Sequence, residues 1–143
     1  MTELTAGTTF EAVVVQDLRR TQIVQYAGAS GDYNPLHTDE VYATKIAGYP
    51  SVFAHGMLTM GLTGQAITEL VGTENLLRFG VRFTAQVWPG DTLTVRTTVV
   101  SVSAGEAELS VSTVNAEGKE VMSGYAHARV AGWPAAIPPS GRA

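Results

Sequence analysis

The chain has no cysteine. That absence removes disulfides, thiolate metal sites, iron–sulfur clusters and a cysteine nucleophile together. Histidine is scarce as well. His37, His55 and His127 are the only three, and no two stand at the i, i+4 spacing of a helical zinc motif. Neither a metal nor another cofactor is expected. Charged residues make up 15% of the chain, and the net charge of −4 comes with no cluster of Lys or Arg. Nucleic-acid affinity rests on phosphate neutralisation, so a nucleic-acid partner is not expected either. Also missing are a dinucleotide G-x-G-x-x-G, a P-loop, a G-x-S-x-G elbow and any internal repeat. The N-terminus has no basic region followed by an apolar stretch, which argues against a signal peptide. The span 46–68 is free of Asp, Glu, Lys and Arg, but Pro50, His55, four glycines and four Ser/Thr residues make it a poor bilayer span. The expectation is a cytoplasmic protein with no membrane partner.

What is present suffices for one domain: 143 residues, 45% hydrophobic, can bury a core without staples. Fifteen glycines and six prolines point to many turns. The second half reads as antiparallel sheet. Leu77, Phe79, Val81, Phe83, Ala85 and Val87 alternate with Leu76, Arg78, Gly80, Arg82, Thr84 and Gln86, which is period two. Trp88-Pro89-Gly90-Asp91 makes a turn. A Val- and Thr-rich strand follows over 92–103, turned by Ala104-Gly105. Then 106–114 alternates with Ala107, Leu109, Val111 and Thr113 inward, 115–118 turns, and 120–130 is the last strand. Four short-spaced strands joined by tight turns predict a meander.

The first half differs. Residues 8–15 read as a lone strand. Residues 17–28 read as a helix with Asp17 as N-cap candidate and Gly28 at its end, and 29–36 as a loop. Thr38-Asp39-Glu40 caps a short helix to about Ile46. A longer helix over 55–71, stopped by Gly72, carries apolar residues on nearly every side and is expected to be buried nearly all round. The fold class is therefore α+β, a sheet of about five strands curled around one central apolar helix. The tail after Gly132, WPAAIPPSGRA, is Pro-rich and reads as loose.

The most informative segment is Tyr26-Ala27-Gly28-Ala29-Ser30-Gly31-Asp32-Tyr33-Asn34-Pro35-Leu36-His37. It sets a carboxylate, a carboxamide and an imidazole within six positions of a loop. Hydrating an α,β-unsaturated thioester needs a gripped and deprotonated water, a proton for the α-carbon, and stabilised charge on the thioester oxygen. Asp32 and His37 suit the proton transfers, and Asn34 can hold the water without titrating. The start of the long helix, Ala54-His55-Gly56, suits the oxyanion, because its unpaired N–H groups and the helix dipole favour negative charge. A plainer reading stands beside this one: Asp32-Tyr33-Asn34-Pro35 is also a common turn whose side chains bond their own backbone. His55 reads as a polar residue at a helix start, Met57 and Met60 as core, and His127 as a surface or interface residue. Arg78 and Arg82 share a strand face that is either solvated or aimed at phosphates.

Gly31-Asp32-x-Asn34-Pro35-Leu36-His37, followed by Ala54-His55-Gly56-Met57, resembles the hydratase-2 signature of the MaoC-like family. Phe79-Gly80-Val81-Arg82-Phe83 and Trp88-Pro89-Gly90-Asp91 are similar to it too, and the resemblance spans roughly residues 7–130. It implies a single hot-dog domain over 1–131, followed by the tail over 132–143. It also implies dimers joined edge to edge, with active sites between subunits. By the same resemblance Asp32 and His37 are the catalytic dyad, Asn34 their water-holding neighbour and the Gly56 amide the oxyanion donor. Leu58, Leu62 and Arg82 are candidates for substrate contact. The implied substrate is an acyl-CoA or acyl-carrier-protein thioester, hydrated or dehydrated with (R)-specificity. A homodimer is expected, and a heterodimer stays open because the Ala54–Gly61 stretch looks like catalytic subunits that sometimes pair with a non-identical partner. A hot-dog thioesterase is the weaker alternative. Such an enzyme needs an acid on the central helix, and here only Glu69 lies there, near its far end.

Overall fold

The computed structural model describes residues 4–131 and 133. The N-terminal residues 1–3 and, apart from Trp133, the expected tail over 132–143 lie outside the described residues. Strand β1 (Thr9–Val15) is followed by helix α1 (Arg20–Ser30), the one-turn helix α2 (Pro35–Thr38) and a π-type turn at Tyr42–Ile46. Helix α3 (Gly56–Val71) then leads through a short 3₁₀ turn into β2 (Leu76–Phe83), β3 (Leu93–Ser103), β4 (Glu106–Asn115) and β5 (Glu120–Arg129).

The five strands form one antiparallel sheet in the order β1-β3-β4-β5-β2. This corrects the expected four-strand meander. Only β3, β4 and β5 follow one another as hairpins, while β2 lies at the far edge beside β5. The turn at 88–91 forms as read, with the Asp91 amide donating to the Trp88 carbonyl at 3.0 Å. It joins strands that are not neighbours. It is anchored instead to the end of β1, where Leu18 donates to the Asp91 carbonyl at 2.9 Å and accepts from the Gly90 amide at 2.7 Å. Strand β2 also stops at Phe83, short of Val87, because residues 84–87 leave the sheet to run beside the segment before α3.

Alternation places the core. Ala107, Leu109, Val111 and Thr113 of β4 are all buried, as are Leu93, Val95, Thr97 and Val99 of β3. Val95, Val99, Ala107, Leu109 and Val111 meet Ala66, Ile67, Leu70 and Val71 of α3 in one cluster, while Leu93 packs in a second. At about 25 cal/mol per Å² of apolar surface removed from water, this face is the main stabilising term. The buried Thr63 and Thr113 hydroxyls satisfy each other at 2.8 Å, pinning the helix to β4 without leaving an orphan polar group. Trp133 lies against Phe10 with ring centroids 6.1 Å apart. The expectation of burial all round α3 needs amendment. Met57, Gly61, Gln65 and Glu69, spaced four apart on one face, are exposed. Met57, at 55% exposure, is therefore not core, whereas Met60 packs against the second apolar cluster.

The seam between β2 and β5 is unusually close. A Cβ on Gly124 would stand 2.1 Å from the Gly80 carbonyl oxygen, and the Tyr125 ring occupies the place where a Gly80 side chain would be. Strand β2 carries a bulge between Leu76 and Arg78, which turns Leu77 out to solvent.

Two helix boundaries differ from expectation. Asp17 does not cap α1, because its backbone is left-handed (φ 50°) and α1 starts three residues later. The Arg19 amide is instead satisfied by the Gln22 side chain at 3.0 Å. The closing glycine is Gly31 rather than Gly28. Gly31 takes φ 74°, and its amide donates to the Ala27 carbonyl at 2.9 Å. The helix thus ends directly at Asp32.

Candidate active site

Local polar bonds build the loop after Gly31. The Asp32 amide donates to Ser30 Oγ at 3.2 Å, and Asp32 Oδ1 accepts from the Asn34 amide at 3.2 Å. Asn34 Oδ1 accepts from the Leu36 amide at 3.0 Å and so caps α2, whose first residue is Pro35. The plain turn reading is therefore correct for both side chains. It is also what brings Asp32 and His37 near each other: capping starts α2, and α2 carries His37 toward the entrance to α3.

The segment 52–54 receives it. Phe53 donates to the Leu36 carbonyl at 3.3 Å, and Ala54 to the Val87 carbonyl at 2.8 Å. Arg20 of α1 bonds both Glu40 and Ser51, while Glu40 also accepts from the Val52 amide at 3.3 Å. The Arg20 guanidinium, helped by that amide, holds the Glu40 carboxyl below its usual range. So fixed, the Phe53 carbonyl accepts from His37 Nδ1 at 2.6 Å. A carbonyl only accepts, so Nδ1 carries the proton and Nε2 of the neutral ring presents a lone pair. Burial is the main reason that the His37 pKa falls below the ordinary 6.5. The neighbouring His55 lowers it further, while the Phe53 bond and the Asp32 charge oppose the shift.

His55 is where sequence reading went furthest astray. It does stand at the start of α3, as N-cap, but its ring is only 2% exposed. It stacks on His37 with centroids 3.8 Å apart and planes 28° apart, and its Nε2 donates to the main-chain carbonyl of Asp32 at 2.9 Å. Tyr26 of α1 packs edge-on against it, with centroids 4.8 Å apart. The signal available in the sequence was a lone imidazole inside a charge-free, largely apolar stretch.

Donor atoms of Asp32, His37 and His55 lie within 4.8 Å of one another, close enough to suggest a metal. Yet His37 Nδ1 and His55 Nε2 are committed to carbonyls. Of the two ring nitrogens left over, His55 Nδ1 is enclosed, which leaves an ion held at roughly 2.0–2.1 Å no open approach to it. The arrangement suits proton exchange better.

The expected oxyanion donor stands beside this group. The first amides bonded within α3 are those of Leu58 and Thr59, both to the His55 carbonyl, so the Gly56 and Met57 amides precede the intrahelical ladder. An open cavity of about 350 Å³ adjoins them, lined by Phe53, Ala54, Gly56, Thr59, Phe83 and Val121 among others. Gly56 lacks a side chain for a second reason: a Cβ there would press on the Phe83 ring at 3.2 Å. Leu58 and Leu62 are half-buried against the second apolar cluster rather than in this cavity. Arg82 is exposed in a separate groove with Ser123 and Tyr125, away from the dyad within the chain. The structure thus brings Asp32, Asn34, His37 and Gly56 together, adds His55, and leaves Arg82 apart.

An antiparallel sheet laid against one long helix, with polar chemistry gathered at that helix's N-terminus, is the hot-dog fold. The MaoC-like domain model matches residues 2–121, and the chain belongs to the MaoC-like family. The 3-hydroxyacyl-thioester dehydratase Y of Mycobacterium tuberculosis (strain ATCC 25618 / H37Rv) is 36% identical over 94 residues, 64% of this chain and 32% of that protein. The peroxisomal enoyl-CoA hydratase 2 of Arabidopsis thaliana is 35% identical over 103 residues, 70% of this chain and 32% of that protein. The chain spans about a third of the length of these curated relatives. Among solved structures, the unliganded R-hydratase PhaJ1 from Pseudomonas aeruginosa superposes with a TM-score of 0.78 at 27% identity, covering 99% of this chain and 94% of that one.

Proposed function

We propose that the protein is an (R)-specific hydro-lyase that hydrates trans-2-enoyl thioesters and dehydrates (R)-3-hydroxyacyl thioesters, carried by coenzyme A or acyl carrier protein. One observation carries the reading: the Asp32 carboxylate and the His37 ring lie within 4.8 Å at the mouth of the α3 N-terminus, with His37 oriented by the Phe53 carbonyl. A water between them gives one proton to the pair as its oxygen bonds to C3 of the enoyl thioester. The electron pair of the C2–C3 double bond moves to the thioester oxygen, where the Gly56 amide and the α3 dipole meet it. The pair then returns a proton to C2. Asp32 and His37 titrate as a unit, so the two transfers belong to the dyad. Asn34, with Oδ1 spent on its cap, has its amide group left to hold the water. The names of the relatives and of the R-hydratase support the reaction class.

We place the enzyme in the cytoplasm as a homodimer. Among the described residues no helix is long and apolar enough to cross a membrane, and β2 and β1 leave two strand edges open in the single chain. A heterodimer with a non-identical subunit is the second reading, favoured by the exposed Met57-bearing stripe of α3, an apolar position that a partner would cover.

Loss of enoyl absorbance when the purified protein meets crotonyl-CoA tests the proposal, with product chirality determined. An (R)-3-hydroxybutyryl product is expected. No turnover on crotonyl-CoA and a longer enoyl-CoA, alone or with a partner subunit added, would remove it. Release of free thiol instead would turn the reading to a thioesterase.

A further inference from the structure

The His55 imidazole is an odd choice for a buried position. Its Nδ1 is enclosed and has no hydrogen-bond partner among the described residues. A buried polar atom left unpaired is destabilising, and a phenyl ring of similar shape would avoid that cost. The position therefore keeps an imidazole for what its other edge and its face do. The edge donates to the main-chain carbonyl of Asp32, across a separation of 23 residues. The face lies on His37. One ring thus touches both members of the dyad, through the backbone of one and the π-face of the other, and Tyr26 backs it from α1. It sits on the first turn of α3, the most deeply packed helix of the molecule, so it ties two loop-borne groups to a rigid element.

We infer that His55 is a positioning residue, setting the Asp32 carboxylate against the His37 ring by holding the Asp32 carbonyl and stacking on the imidazole. The inference rests on the hydratase reading for its kinetic consequence, though the positioning itself is independent of it. Asp32 lies on an exposed loop, whose own turn bonds tie it to the start of α2 but not to α3. The His55 bond supplies that second tie. A shift of about 1 Å in a reacting group can cost on the order of 10²-fold in rate.

Two variants separate the edge from the face. His55→Phe keeps a ring against His37 and removes the donor. His55→Gln keeps a donor near the Nε2 position and removes the ring. With crotonyl-CoA as probe, His55→Phe is expected to lower kcat by about 10- to 100-fold with KM within about twofold. Its melting temperature should stay near that of the parent, since the orphan nitrogen and the bond to Asp32 are lost together. His55→Gln should recover most of the lost rate. The titratable groups facing His37 are Asp32 and His55. Both variants remove the lowering effect of His55, but only His55→Phe frees Asp32, whose charge raises the His37 midpoint. Followed by NMR, that midpoint should therefore lie lower in His55→Phe than in His55→Gln, a difference that mere packing does not predict.

Unchanged kcat in His55→Phe, or equal losses in both variants that track lowered melting temperatures, would overturn the inference. Should His55→Phe fail to fold, His55→Gln decides alone: near-parental kcat supports the inference, and loss in step with stability sinks it. Should the parent protein hydrate nothing, the hydratase reading falls by itself. The His37 midpoints then still decide the positioning, and equal midpoints in the two variants count against it.

Discussion

The loop-rich span from Gly31 to Gly56 and the hairpins from β3 to β5 obey different rules. In the hairpins, side-chain alternation decides everything, and inward residues at every second position fill the core whatever their neighbours do. In the span 31–56, hydrogen bonds reaching only two or three residues set the path, as Asp32 bonds Asn34 and Asn34 bonds Leu36. The result is a place where polar groups meet one another at the edge of solvent. The stable half holds its shape through many interchangeable apolar contacts. The chemical half holds its shape through a few bonds, each without a substitute.

Breaking each half should therefore look different. Asp32→Asn keeps the oxygen that receives the Asn34 amide, so folding should be unaffected while kcat falls about 10²- to 10⁴-fold. A crotonyl-CoA assay beside a thermal melt reads both, and wild-type turnover would refute the assignment. Leu109→Ala, in the fully buried row of β4, should do the reverse: about 2–5 kcal/mol of stability lost in urea titration, with kcat little changed below the melting range. Gly31→Ala sits where the two regimes meet. A left-handed alanine costs about 1–2 kcal/mol, and the residue aims the next one, so stability and kcat should fall together. A change in only one of them would show that the helix end and the site are uncoupled.

The smallest effect concerns pH. Because the folded His37 pKa is depressed, the unfolded chain takes up this proton more readily. The associated stability is full above 6.5 and is lost as pH falls through the folded value. The acid limb of kcat/KM should likewise lie below 6.5, and a limb above that would contradict the burial of the ring.

The same division explains what was legible in the chain. The core rows of β3 and β4 could be read because period two is a local signal with one outcome. The place of β2 could not. The Trp88–Asp91 turn forms just as its residues dictate, but whether a turn joins neighbouring strands depends on contacts far along the chain. In the site, Asp32, Asn34 and His37 were legible because one short segment carries all three, and their own backbone bonds confirm the loop. His55 was not, since a histidine at a helix start looks the same whether it faces water or lies under a second ring. Its partners Tyr26, Asp32 and His37 come from elements that meet only after folding.

The close seam between β2 and β5 acts as a key cut for one lock. Only glycine fits opposite the Gly80 carbonyl, and the Tyr125 ring fills the notch above it. Sliding β2 along β5 by two residues would drive Arg78 or Arg82 under that ring. The strand is therefore indexed to a single setting. Phe83, at its end, inherits that index and stops against Gly56, so a feature with no chemistry of its own gauges how wide the entrance beside the helix can be.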